Sequence, residues 1–77
     1  MKTVMISLNS IDKVKSFVND ISRFDYDFDL ISGRYVIDAK SIMGIFSLDL
    51  SQSLDLVIQR DTDIDAIMAD LKDFIAG

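Results

Sequence analysis

The apolar residues of this chain change their period several times, and each change marks a new element. Residues 2–8 alternate, with Val4, Ile6 and Leu8 on one side and Thr3, Met5 and Ser7 on the other. That two-residue period predicts a strand with one buried face. After Ser10 the spacing lengthens, and Ile11, Val14, Phe17, Val18, Ile21 and Phe24 form one stripe of an amphipathic helix. Asn9 or Ser10 can cap this helix, and Asp12 falls in its first turn, where the dipole favours an anion. Alternation returns at 25–30, with Tyr26, Phe28 and Leu30 inward and Asp25, Asp27 and Asp29 outward. A turn at Ser32-Gly33-Arg34 and a return strand over 35–38 complete a predicted hairpin.

Ser41 is a natural cap for a short helical segment over 41–47. Residues 53–59 alternate again, with Leu54, Leu56 and Ile58 on one face. Thr62-Asp63-Ile64-Asp65 resembles a capping box with Asp in place of the usual Glu. A second long stripe follows at Ile64, Ile67, Met68, Leu71, Phe74 and Ile75. The order is β-α-β-β-α-β-α. Strands with one apolar face each, covered by amphipathic helices, predict an α+β fold: a four-stranded antiparallel sheet with helices on one side. Phe17, Phe28, Leu56 and Leu71 are the expected centre of its core.

With 77 residues, this is one expected domain over 1–77. A chain this short buries only ~60% of its unfolded surface, so its core is small. It contains no Cys and no His. Disulfides, thiolate metal sites, a Cys nucleophile and imidazole chemistry are therefore excluded. No apolar run approaches the ~18 residues of a membrane span. The start of the chain has no apolar h-region of a signal peptide, so the cytoplasm is the expected compartment. The formal net charge is −5, and all 13 acidic residues are Asp. That balance argues against nucleic-acid binding, which needs a basic stripe to displace phosphate counterions, and against anionic surfaces.

One segment carries a family likeness. Gly33-Arg34-Tyr35-Val36-Ile37-Asp38-Ala39-Lys40-Ser41-Ile42-Met43-Gly44-Ile45-Phe46-Ser47-Leu48 resembles the signature of HPr, the small phosphocarrier of the sugar phosphotransferase system. Lys40-Ser41-Ile42-Met43-Gly44 is the centre of the match. Ser22-Arg23-Phe24 resembles the family's Ser-Lys-Phe at the end of its first helix, in the same ungapped register. The resemblance implies an HPr-like open-faced sandwich. It also implies a phosphate-accepting His in a Gly-Leu-His-Ala-Arg-Pro-Ala motif at the start of the first helix. This chain instead reads Leu8-Asn9-Ser10-Ile11-Asp12-Lys13-Val14. Ser10 stands at the His position, Asp12 at the Arg position and Lys13 at the Pro position. A Ser phosphoester lacks the transfer potential of a phosphoramidate, and Asp12 repels a phosphoryl group.

The same register makes Ser41 the candidate for regulatory phosphorylation, since the family's matching Ser is the target of an ATP-dependent kinase. An N-cap Ser is also what any short helix uses, and the two roles are compatible. Ile42, Met43 and Phe46 match apolar residues with which the family docks partner enzymes and a transcriptional regulator. They could equally cover the sheet edge or a homodimer contact. Ser10 is read chiefly as a helix cap. The Asp triple at 25, 27 and 29 fits a solvated strand face. The acids at 61, 63 and 65 fit a helix N-terminus, and the Gly and closing Glu of a calcium loop are missing. No catalytic residue, cofactor or metal site is expected. The expected function is a non-catalytic, regulatory HPr-like protein whose partners are proteins. The alternative is an HPr-fold interaction module, or a homo-oligomer, unrelated to sugar phosphotransfer.

Overall fold

In the computed structural model, which describes residues 1–76, the alternating segments form four strands and the helical stripes form helices. The order is β1 (Lys2–Ile6), α1 (Ile11–Ile21), β2 (Phe28–Ser32), β3 (Tyr35–Asp38), α2 (Ile42–Phe46), β4 (Leu54–Ile58) and α3 (Ile64–Leu71). The sheet order is β1-β4-β2-β3, and every pairing is antiparallel. The strand adjacent to β1 is thus the last one in the chain, which clamps the two ends of the fold together.

Alternation places Val4, Leu56, Leu30 and Ile37 in register across one face of the sheet. The helices lay Val14, Phe17, Ile21, Ile45, Ile67 and Leu71 over that face, and all of these are buried. Phe17, Phe28, Leu56 and Leu71 meet in one core cluster, as their spacing predicts. Removing each such side chain from water contributes roughly 1.5–3 kcal/mol. No buried side-chain polar atom lacks a partner among the described residues.

Gly33 adopts φ +61° at the first position of the two-residue turn between β2 and β3. Only a residue without Cβ takes that geometry freely, so the hairpin forms where the Gly occurs.

The structure departs from the sequence reading at several ends. The hairpin begins at Phe28, so Asp25 and Asp27 precede the strand and only Asp29 lies on its open face. Ile11 is 61% exposed, because the whole turn from Asn9 to Asp12 stands in solvent. The capping box at Thr62 does not form. Asp63 occupies the cap position in the left-handed region with φ 60° and makes no capping bond, while Thr62 Oγ1 accepts from Arg60 Nε at 2.9 Å. Phe74 and Ile75 lie beyond α3. There the chain returns along β1, where the Ser7 amide donates to Phe74 O at 2.8 Å and the Ala76 amide to Met5 O at 2.9 Å. Backbone pairing with an open strand edge outweighs another helical turn, and Phe74 still reaches the core edge-on to Phe17, with ring centres 5.7 Å apart.

Candidate functional site

Ser41 is held by the turn that leaves β3. The Ser41 amide donates to Asp38 O at 2.9 Å, and Asp38 Oδ1 accepts from the Lys40 amide at 2.9 Å. This tight turn halts the strand and starts α2. Ser41 then adopts an extended backbone, and its Oγ accepts from the Gly44 amide at 3.2 Å. The hydroxyl is a working N-cap on an exposed residue. Gly44 has a steric reason to lack a side chain: a Cβ there would lie 3.1 Å from Ser41 Oγ and 3.3 Å from Ile37 Cδ1. A side chain at position 44 would need Ser41 or Ile37 to give way by a few tenths of an ångström.

The three apolar candidates do not share one environment. Met43 is 76% exposed and Phe46 40% exposed. Ile42 instead is partly buried and packs against the core, on the same side of the short helix as buried Ile45. Residues three apart share a helix face, so Ile42 anchors α2 and contributes only part of its surface outward. The outward apolar surface of α2 is thus Met43 and Phe46, beside Ser41 in the chain.

Lys40 is committed elsewhere. Its Nζ donates to Phe24 O at 2.7 Å and lies 5.6 Å from the centre of the Phe28 ring. The ammonium thus closes the end of α1 onto the sheet and does not stand free beside Ser41. Sequence pattern does not reveal this bond, because Phe24 and Lys40 meet only through the fold. Beyond α2, Asp49 Oδ1 accepts from both the amide and the hydroxyl of Ser51, at 3.1 and 2.6 Å. The Ser51 hydroxyl bond, and after it the amide bond, hold the Asp49 carboxyl below its usual range.

Ser10 occupies the N-cap of α1, its Oγ accepting from the Lys13 amide at 3.1 Å. The shallow groove alongside is lined by Asp12, Lys13, Ser16, Asp73 and Phe74. Two carboxylates outnumber the single ammonium there, which disfavours a dianionic phosphoryl group. Asp73 joins this site only because the C-terminal segment folds back along β1. Arg23, the cation at the far end of α1, is paired with Asp70 at 2.7 Å. Among the described residues, no group of three or more His, Cys, Asp or Glu side chains is placed to hold a metal ion. Among the described residues, no helix is long and apolar enough to cross a membrane.

Known proteins share this fold. The family model described as the PTS HPr component phosphorylation site matches residues 13–77. The matched span begins just after Ser10, so the position of the expected His lies outside it. No curated protein matches the chain. The crystal structure of HPr-C-His from Thermoanaerobacter tengcongensis superposes with a TM-score of 0.77 at 32% identity, covering 97% of this chain and 91% of that one. The phosphocarrier protein HPr from Bacillus anthracis str. Ames superposes with a TM-score of 0.70 at 25% identity, covering 95% of this chain and 93% of its own. The family model spans most of the chain and the superpositions cover nearly all of it, so the chain belongs to the HPr family of the phosphotransferase system.

Proposed function

We propose that this chain is a regulatory, non-catalytic member of the HPr family, with Ser41 as its switch and Met43 and Phe46 as its contact surface. The observation that carries the reading is the absence of any His in the sequence, with Ser10 and Asp12 where the family's phosphate acceptor and its Arg would stand. A phosphocarrier must release what it accepts, and a Ser ester beside a carboxylate does neither step well. Incubation with phosphoenolpyruvate and the system's first enzyme is expected to leave no acid-labile phosphate on the chain. Detection of one would remove the non-carrier reading.

The regulatory half rests on Ser41. Its Oγ would attack the γ-phosphorus of ATP, the bond to the bridging oxygen would break, and ADP would leave while the kinase's base takes the hydroxyl proton. The product carries close to two negative charges at the start of α2, where the first-turn amides favour an anion. Because Lys40 is bonded to Phe24 O, those amides and not the lysine stabilise the phosphate. The fold is expected to change little. The surface changes more, since Met43 and Phe46 acquire an anionic edge. A protein partner with Arg or Lys beside an apolar groove gains charge-assisted hydrogen bonds, and an acidic partner is repelled. The test is an HPr-type kinase with ATP, read by intact mass and peptide mapping. A mass gain lost in Ser41→Ala supports the switch; no gain, or a gain that survives the substitution, leaves Ser41 as a cap alone.

A further inference from the structure

Among the described residues, the helices bury their apolar side chains in one core cluster on one face of the sheet, which leaves the second face open. Its strands place two rows of side chains there. Met5, Asp55, Ile31 and Val36 are in register across the sheet, and Thr3, Val57, Asp29 and Asp38 form the adjacent row. Half of these positions are apolar, three are Asp, and none is Lys or Arg. Met5 is 51% exposed and Val36 62% exposed. Val57 is buried yet stands apart from the helix-covered core cluster, so its neighbours on this open face shield it. Asp29 is bonded to Gln59 Nε2 at 2.7 Å and Asp38 to the Lys40 amide at 2.9 Å. Among the described residues, neither these two nor Asp55 has a salt-bridge partner.

We infer that this open face docks a basic amphipathic helix of a protein partner. Met5, Ile31, Val36 and Val57 call for apolar side chains, and the carboxylates of Asp29, Asp38 and Asp55 set among them call for Lys or Arg. Four strands at ~4.8 Å spacing make a platform ~14 Å across, which one helix ~10–12 Å in diameter fills. A helix is also what the other face of this same sheet receives. The charge decides between occupants. A second copy would set three Asp against three Asp, in a chain of net charge −5, and the two faces would repel. Nucleic acid and anionic membrane are repelled by the same carboxylates. The surface meets the Ser41 turn only at Asp38, while α2 packs through Ile45 onto the opposite face. The inference therefore stands or falls independently of the Ser41 switch.

The probe is a helical peptide of Leu and Lys alone, with Leu on one face, titrated into the isotopically labelled full chain. Its counterpart with Glu in place of Lys is the control. Amide shifts are expected at Met5, Ile31, Val36 and Val57, and none with the Glu peptide. Asp55→Lys on β4 and Val36→Lys on β3 should each weaken binding about tenfold, through a repelled charge and a lost apolar contact. Two variants on different strands guard against misfolding of either. Asp65→Lys, at an exposed position of α3, changes net charge as much as Asp55→Lys and should have little effect. The inference is overturned if the Leu–Lys peptide does not bind, if shifts centre on α2, or if the Glu peptide binds as well. It is also overturned if Asp65→Lys weakens binding as much as Asp55→Lys, or if the free chain self-associates through this face.

Discussion

Tyr26 and Asp63 are far apart in the chain and meet at a strained residue. The Tyr26 hydroxyl donates to Asp63 Oδ2 at 2.9 Å, and the Arg60 guanidinium lies 3.8 Å from the centre of the Tyr26 ring. Asp63 holds φ 60°, a backbone state that short polar residues tolerate better than most. The bond to Asp63, and after it partial desolvation, raises the Tyr26 pKa above 10.0. Ionisation would remove the hydrogen that the bond requires. The neutral phenol is thus favoured in the folded chain, and this contribution is fully present below the unfolded value and lost as pH rises through the folded one. Following the Tyr26 ring by NMR, Asp63→Gly should return its titration toward 10.0, since Gly keeps the positive φ and removes the acceptor. An unmoved titration would show that the bond is not the cause.

Each of the first two helices begins with a Ser whose Oγ accepts an amide three residues on. Their roles as caps are separable from any role in phosphate chemistry by substitution at Ser10. Ser10→Ala should cost about 1 kcal/mol, which for a domain of this size lowers Tm by roughly 4–8 °C. Ser10→Asp should retain Tm, because a carboxylate caps as well and suits the helix dipole. Equal losses in both variants would mean that the Ser10 hydroxyl does something other than cap. The third helix lacks such a bond, and its start is set by the Tyr26–Arg60–Asp63 contacts instead.

Across the whole molecule, stability rests on one core that both helix and strand patterns feed. Phe28 is 1% exposed, lies 6.4 Å edge-on from the Phe24 ring and carries Lys40 above its face. Phe28→Ala should cost about 3–5 kcal/mol, a large share of the ~5–15 kcal/mol that stabilises a domain. Urea unfolding measures this directly, and an unchanged midpoint would contradict the packing. The same substitution also removes the ring beneath Lys40, so the closure of α1 onto the sheet should loosen with it.

Element order was legible in the residues because hydrophobic period is a local property. Val4–Leu8, Phe28–Leu30 and Leu54–Ile58 state their strand character over a few residues, and Val14–Ile21 its helical character over about two turns. The family signature around Ser41 was legible for the same reason, being contiguous. What the tertiary structure alone decided were the meetings of distant residues. The placement of β4 between β1 and β2, the return of Ile75 along β1 and the bond from Lys40 to Phe24 O join positions that no local pattern relates. Nor does local pattern say which side of a five-residue helix faces inward, since Ile42, Met43 and Phe46 are equally apolar and only the proximity of the core separates them. Asp63 followed suit: the capping box is a local preference, and the contacts of Tyr26 and Arg60 with its carboxylate outweighed it.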